Sequence, residues 1–232
     1  MTTHSALAVI ARHPVLLPLP ESRLAPLLRS SAVVTYRRGD SVWHLGHPAD
    51  DFAFVLEGTV GRFLSGLSPR PLFASIDGAG SFSDLSASVR RARRTQSAVA
   101  FAARTTVAKI PQRPFLEALS DSPDSMRALL ELAAEESDAA LRRLALSASL
   151  ASTRLAHLLL SVAPPDAAGR RAVSLRLTRE HMAQFIGSTP ETVTRTLTAW
   201  SAEGLVEKRA RALVLRDIAR LEALARPSFD ET

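Results

Sequence analysis

The chain has 232 residues, 46% of them hydrophobic, which suits one large or two ordinary folded domains and excludes disorder of the whole chain. Its net charge is +6 and rests almost entirely on arginine, which fits a polyanionic partner and an arginine-rich genome equally well. Because the chain contains no cysteine, disulfides, thiolate zinc sites, cysteine-ligated iron–sulfur clusters and cysteine nucleophiles are excluded.

The N-terminal residues, 1 to about 30, are predicted to form two helices that cap the domain that follows. They lack the basic start and the long apolar core of a secretory signal. The longest apolar run, residues 155–163, is shorter than the roughly 18 to 20 residues that a membrane helix needs. We therefore expect a cytoplasmic protein without a membrane partner.

Between Val33 and Ile110 the pattern changes to short runs rich in valine, phenylalanine and threonine. Glycine-bearing turns separate these runs, at Gly39, Gly46, Gly66 and Gly78 to Gly80. Short runs with regularly spaced turns are typical of antiparallel sheets. The pattern predicts a compact β-barrel or jelly roll.

A long helix is predicted from Pro123 to about Leu146, capped by Ser122. Along it, apolar and small residues recur at alternating steps of four and three: Met126, Leu130, Ala133, Ser137, Ala140 and Leu144. This spacing makes a seam of about 3 heptads, as in a close helix pair. It favours a dimer interface, although packing of the helix on its own barrel would give the same stripe.

Residues 149–232 follow the order helix, strand, helix, turn, helix, hairpin and helix, which is that of a winged helix. The predicted landmarks are caps at Thr178, Thr189 and Asp217, a turn at Gly187 and Ser188, a strand over residues 173–177 and a wing tip from Arg209 to Arg211. The chain is thus predicted to be α+β. Its domains are a barrel (1–120), a dimerisation helix (121–148) and a winged helix-turn-helix domain (149–232).

The helix that begins at Pro190 carries side chains suited to the DNA major groove. Its outer face presents Thr189, Glu191, Thr192, Thr194 and Arg195, while Val193, Leu197 and Trp200 form an inner face. In the major groove a carboxylate accepts from cytosine, arginine forks onto guanine, and threonine methyls contact thymine. Glu191 and Arg195 lie one turn apart and could pair before docking. The pattern favours base reading, with an ordinary exposed ion pair as the alternative.

Basic residues concentrate around this helix. Residues 170–216 hold nine basic and four acidic side chains, so this stretch carries most of the net charge of +6. The basic ones are Arg170, Arg171, Arg176, Arg179, Arg195, Lys208, Arg209, Arg211 and Arg216. Those before the first helix of the pair and at the wing tip are placed to contact phosphate.

The sequence resembles the Crp/Fnr superfamily of bacterial transcription regulators over nearly its whole length. Three segments carry the resemblance: YRRGDSVWHLGHPADDFAFVLEGTV (36–60), VAKIPQRPFLEAL (107–119) and LTREHMAQFIGSTPETVTRTLTAWSAEGLV (177–206). The resemblance implies a cyclic-nucleotide-binding-like β-barrel, a dimerisation helix and a winged helix. It also implies a homodimer on palindromic double-stranded DNA, control by an effector in the barrel, and RNA polymerase as a further partner.

The family's base-reading pattern falls on Glu191, Thr194 and Arg195, with Thr189, Thr192, Arg179 and Arg209 as further DNA-binding candidates. The cyclic-AMP branch has an additional arginine just before the glutamate, where this chain has Pro190. The resemblance therefore implies the TTGA-type half-sites of the Fnr and Dnr branches rather than TGTGA.

The effector pocket departs from the cyclic-nucleotide pattern. Cyclic-nucleotide binders carry a Glu after Phe-x-Gly and an Arg-Ser pair for the phosphate, whereas residues 78–100 of this chain are GAGSFSDLSASVRRARRTQSAVA. Asp84 lies near the Glu position, Thr95 and Gln96 take the Arg-Ser places, and Arg94 is one residue out of register. We therefore expect cyclic AMP not to bind tightly, and the effector is unidentified.

The cofactor is likewise unknown from sequence. The absence of cysteine excludes the iron–sulfur cluster of the Fnr branch. His44 and His47 leave haem open, although neither forms a haem motif, so a haem- or small-anion-binding sensor with weak or lost DNA binding is the alternative function. No HExxH, Walker or GxSxG motif occurs, and we expect neither an enzyme nor a metal site.

Overall fold

The computed structural model describes residues 8–64, 72–147, 149–163, 165, 169–174, 177–209 and 212–226. Within them the chain divides into two compact units. The first contains the described residues up to Asp138 except Leu72 and Phe73, and the second contains those two residues and everything described from Ala139 onward. The predicted turn at Gly66 lies outside the described residues.

The first unit begins with a helical turn at residues 8–11 and helix α1 (Glu21–Ser30). The strands that follow are β1 (Ala32–Arg37), β2 (Ser41–Trp43), β3 (Asp51–Glu57), β4 (Thr59–Leu64), β5 (Leu72–Gly78), β6 (Phe82–Ser83), β7 (Ser97–Ala100) and β8 (Arg104–Pro111). The helices are α2 (Leu85–Val89), α3 (Gln112–Ser120) and α4 (Pro123–Ser147). Strand β6 and helix α2 were missed by the sequence prediction, because both are too short to show a period.

The strands form two four-stranded sheets, with the orders β1-β8-β3-β6 and β2-β7-β4-β5. The central pair of the first sheet is antiparallel, from Asp51 opposite Pro111 to Glu57 opposite Thr106. This pairing joins an early strand of the unit to its last strand. The predicted jelly-roll architecture is confirmed.

Strand β3 separates two hydrophobic cores because its side chains alternate between two faces. Phe52 and Phe54 belong to an outer core shared with the helices, and Ala53 and Val55 belong to an inner core between the sheets. The ring of Phe52 packs against Phe115 of α3, with 4.1 Å between the ring centroids. Burial on both faces explains why this strand shows no alternation of polar and apolar residues.

Helix α4 begins where the sequence predicts. The Ser122 hydroxyl accepts a hydrogen bond from the backbone N–H of Ser125 at 3.3 Å and so caps the first turn. Leu129 is buried in the outer core, and Met126 and Leu132 pack partly against it. Met126, predicted to lie in the dimer seam, is half-buried and packs partly against the chain's own core.

The second unit has the element order of a winged helix. Its elements are α5 (Ala151–Val162), β9 (Arg171–Ser174), α6 (Arg179–Phe185), α7 (Pro190–Ala202), β10 (Val206–Arg209), β11 (Ala212–Leu215) and α8 (Ile218–Ala225). The sheet order is β10-β11-β9, and α5 packs against α8 around buried Leu158 and Leu221. The α+β prediction is confirmed. Strand β9 begins two residues earlier than expected, and residues 175 and 176 of the predicted strand lie outside the described residues.

Candidate nucleic-acid interface and barrel interior

Helices α6 and α7 form the predicted helix-turn-helix, and each begins at a threonine cap. The Thr178 hydroxyl accepts from the backbone N–H of His181, whose ring in turn accepts from the backbone N–H of Thr178. Gly187, with φ of +59°, ends the first helix in a conformation that favours glycine. The Thr189 hydroxyl then accepts from the backbone N–H of Thr192 at 3.3 Å.

Helix α7 is held by one apolar face, which leaves its polar face outward. Val193, Leu197 and Trp200 are buried. On the opposite side Thr189, Glu191, Thr194 and Arg195 are exposed, while Pro190 and Thr192 are half-buried in the first turn. Four of the predicted base-reading or phosphate-contacting residues thus lie together on the solvent side of one rigid helix.

The predicted ion pair between Glu191 and Arg195 is not formed. Within the part of the chain that the structure describes, Arg195 makes no hydrogen bond or salt bridge. A surface ion pair one turn apart gains only about 0.3–0.5 kcal/mol and does not fix two long side chains. The guanidinium of Arg195 is therefore available to an incoming acceptor.

Arg154 of α5 was not predicted from sequence, and it supports the turn between the two helices. Its Nε donates to the carbonyl oxygen of Ile186 at 2.6 Å, and its terminal nitrogen donates to the carbonyl of Ser149. The Ile186 carbonyl lies at the end of α6, where helix carbonyls lack intrahelical partners. No local pattern marks this role, because the partner lies 32 residues away along the chain.

The predicted phosphate-contacting arginines differ in their surroundings. Arg179 begins α6 and is half-buried, and its Nε has no hydrogen-bond partner among the described residues. Arg209 ends β10 and pairs with Glu207 at 3.0 Å, and Arg216 pairs with the same carboxylate. Hydrogen bonds from Arg209 and Arg216 lower the pKa of Glu207. Arg176 and Arg211 lie outside the described residues.

The predicted dimer seam on α4 is exposed along most of its length. Leu130 and Leu144 are 65% and 68% exposed, and Ala133, Ser137 and Ala140 between them are also exposed. Leu141, beside this stripe, is 62% exposed. Apolar side chains in such a row are unusual on a free helix surface. The stripe lies on a different side of α4 from Leu129, which faces the barrel.

A cluster of charged side chains fills part of the barrel interior, centred on Arg62 of β4. The side chain of Arg62 is 6% exposed, and it contacts Asp77 of β5 at 2.9 Å and Glu136 of α4 at 2.8 Å. Its Nε also donates to the hydroxyl of Ser75 at 2.6 Å. Sequence analysis did not find this cluster, because its members come from distant segments.

The predicted pocket residues Asp84 and Arg94 are brought together as an internal ion pair. Arg94 contacts the Asp84 carboxylate at 3.3 Å and the Asp51 carboxylate at 2.9 Å, and it stacks over the Trp43 ring at 4.6 Å. Asp84 is fully buried and has φ of 54°, which is uncommon for a residue with a side chain. Burial raises the pKa of Asp84, and the charges of Arg94 and then Arg62 oppose this shift.

The other two predicted pocket residues behave differently. Thr95 is exposed, so the position assigned to it by the family pattern does not point into the barrel. Gln96 is half-buried, its side-chain oxygen has no hydrogen-bond partner among the described residues, and its carbonyl accepts from the Trp43 indole at 3.1 Å. Arg94, predicted to be out of register, is the residue that turns inward, because Asp51 and Asp84 neutralise its charge there.

His44 and His47, the histidines named above as possible haem ligands, lie at the surface of the barrel unit. Both are exposed, and their rings meet edge to face, with 5.2 Å between centroids. Among the described residues, no group of three or more histidines and carboxylates is arranged to hold a metal ion. Nor is any described helix long and apolar enough to cross a bilayer.

Comparison with known protein families gives two matches that follow one another along the chain. A cyclic nucleotide-binding domain model matches residues 33–122, and a Crp-like helix-turn-helix domain model matches residues 153–224. Transcriptional activator protein FnrL of Cereibacter sphaeroides is 35% identical over an alignment of 119 residues, and the match covers 47% of this chain. The match spans 48% of that relative's length.

Solved structures with the same fold include FixK2 from Bradyrhizobium japonicum. It has a TM-score of 0.76 and 22% identity, over 85% of this chain and 98% of that chain. A transcriptional regulator of the CRP/FNR family from Thermus thermophilus has a TM-score of 0.66 and 24% identity, over 84% and 98% of the two chains. At these identities the likeness establishes the fold.

Proposed function

The chain belongs to the Crp/Fnr family of transcription regulators, and from that membership we propose that it binds a palindromic promoter site on double-stranded DNA as a homodimer. The observation that carries the proposal is the outward polar face of α7. Its opposite face is buried through Val193, Leu197 and Trp200, so the helix keeps its place in the domain when it enters a DNA groove.

In this proposal Glu191, Thr194 and Arg195 contact base edges. Arg195 forks onto guanine, Glu191 accepts from cytosine, and the N-terminus of α7 at Thr189 and Pro190 faces a phosphate. Arg179 and Arg209 supply further phosphate contacts. With Pro190 in place of an additional arginine, the preferred half-site is of the TTGA type.

The homodimer is proposed to form through α4. The exposed stripe from Leu130 to Leu144 presents apolar and small residues at the spacing of a helix pair. A two-fold axis along this seam would give the two-fold DNA site that two recognition helices require. The barrel is then the regulatory unit of each subunit, and its effector is unidentified.

The cellular setting follows from the proposed partner. A regulator that binds promoter DNA acts in the cytoplasm of a bacterium, contacts RNA polymerase at that promoter, and needs no catalytic step. The helix that reads DNA and the barrel that controls it would belong to one chain, as in the family at large.

Selection of bound sites from random duplex DNA tests the proposal directly. The full chain is expected to enrich a palindrome with TTGA-type half-sites, with centres one or more helical turns apart. Enrichment of a single half-site without symmetry would contradict the homodimer. Failure to enrich any sequence at about 0.15 M salt, with the protein folded, would overturn DNA recognition.

A further inference from the structure

Glu136 occupies a special place on α4. The side of the helix that faces the barrel carries Ser125, Leu129 and Leu132, at helical spacing, and Glu136 is the next residue in this row. The first compact unit ends two residues later, at Asp138, and the helix from Ala139 belongs to the second unit. The contact of Glu136 with Arg62 therefore lies at the last turn that α4 shares with the barrel unit.

Arg62 is prepared for this contact by its neighbours on the sheet. Its Nε contacts Ser75 and Asp77, which holds the guanidinium in one orientation. One terminal nitrogen contacts Asp77 at 3.4 Å and Glu136 at 2.8 Å, and the other lies 4.0 Å from Asp84. The Asp77 carboxylate is itself fixed by hydrogen bonds from the hydroxyls of Ser75 and Ser83. A guanidinium held in this way imposes both direction and distance on its partner carboxylate.

Stability alone does not account for a buried arginine paired with a partly exposed glutamate at this point. Replacing a buried ion pair with well-packed apolar side chains is often neutral or stabilising, because the charges no longer have to be desolvated. A leucine at position 136 would continue the apolar row of Leu129 and Leu132. Apolar contacts tolerate rotation and sliding of a helix, whereas an ion pair with a guanidinium held in one orientation limits both movements.

We propose that the Arg62–Glu136 ion pair is the positioning contact through which the barrel holds α4 in the arrangement that binds DNA. The proposal rests on the proposed function, since it concerns how DNA binding is maintained. Among the described residues, the buried arginines of the barrel are both paired with the protein's own carboxylates: Arg62 with Asp77 and Glu136, and Arg94 with Asp51 and Asp84. An added anionic effector would therefore have to displace one of these carboxylates from its arginine.

The test compares two variants that differ only in the contact. Glu136→Gln removes the charge that Arg62 binds, and Glu135→Gln removes the same charge from the neighbouring exposed residue, which makes no described ion pair. Each full-length variant is measured for affinity to the selected operator, for affinity to non-specific duplex, and for thermal unfolding. Glu136→Gln is expected to lose operator affinity by about tenfold, within the 5- to 150-fold that conformational coupling typically gives.

The remaining readouts separate positioning from folding. Non-specific affinity and the unfolding midpoint of Glu136→Gln should stay close to those of Glu135→Gln, because Asp77 still neutralises Arg62. A structural role would lower the midpoint and both affinities together, and this result would overturn the proposal. Equal operator affinity for Glu136→Gln, Glu135→Gln and the parent would also overturn it.

A second variant guards against misfolding of the first. Arg62→Lys keeps the positive charge but lacks the fork that reaches Asp77 and Glu136 at once. It should lose operator affinity as Glu136→Gln does. Adding Glu136→Gln to Arg62→Lys should cause no further loss, because both changes remove the same contact between positions 62 and 136. Additive losses would count against the proposal. If the parent protein selects no operator, the proposed function fails first, and the two failures are thus distinguishable.

Discussion

Among the single residues of the interface, Arg195 is the one whose substitution distinguishes base recognition from non-specific electrostatic attraction. Its guanidinium is exposed and has no partner among the described residues, so a change there disturbs nothing else in the fold. Arg195→Ala should lose a forked guanine contact, at a cost of about 1–3 kcal/mol for the preferred site. Non-specific binding should change little. Competition titrations with selected and scrambled duplexes measure both, and undiminished operator binding would reduce Arg195 to a surface residue.

Arg209 in the wing should behave in the opposite way. It shares Glu207 with Arg216, and its side chain remains 59% exposed. Arg209→Ala should weaken binding to all sequences about equally and reduce the slope of log affinity against log salt by roughly 1. Arg113→Ala, which removes an exposed arginine of the barrel unit, is the matched control. A loss confined to the operator would show that Arg209 contacts bases.

At the level of the elements, α4 carries the prediction on assembly. Replacing Leu130 and Leu144 by Glu places like charges across the proposed seam and should give a monomer by sedimentation, because each carboxylate would be buried beside its counterpart. The folded monomer should persist, since both leucines are exposed in the single chain. The control replaces Leu17 and Leu45, two exposed leucines outside α4, by Glu. A monomeric parent protein at micromolar concentration would contradict the dimer.

The elements also show which features local sequence can predict. The caps at Thr178, Thr189 and Asp217 were found from sequence and are confirmed, because a cap binds a backbone N–H only two or three residues away. Arg62 and Glu136 carry no such signal. They meet only after two strands and a helix have been placed, and a lone arginine in a strand otherwise indicates a solvent-facing position.

For the molecule as a whole, composition and pattern were sufficient to predict the fold. They were not sufficient to predict which charged side chains are buried inside the barrel. The jelly roll and winged helix follow from strand spacing and helix order, and both are confirmed. The family pattern placed Thr95 and Gln96 at the phosphate position and left Arg94 aside. The structure reverses this assignment, because a buried arginine goes where carboxylates can neutralise it, and Asp51 and Asp84 come from separate segments.

The response of the whole protein to cyclic AMP follows from this internal neutralisation. To bind the cyclic phosphate, Arg94 would have to leave Asp84. Among the described residues, the cation that would then remain nearest to the buried Asp84 carboxylate is Arg62, at 4.0 Å. The cyclic phosphate would replace the Asp84 carboxylate at Arg94 and leave that carboxylate without its partner, so no net gain in binding free energy is expected. Calorimetry should show no binding at micromolar cyclic AMP, and the unfolding midpoint and operator affinity should stay unchanged. A ligand present at 100 times its dissociation constant would stabilise the fold by about 2.7 kcal/mol, so a clear upward shift of the midpoint with cyclic AMP would contradict the prediction.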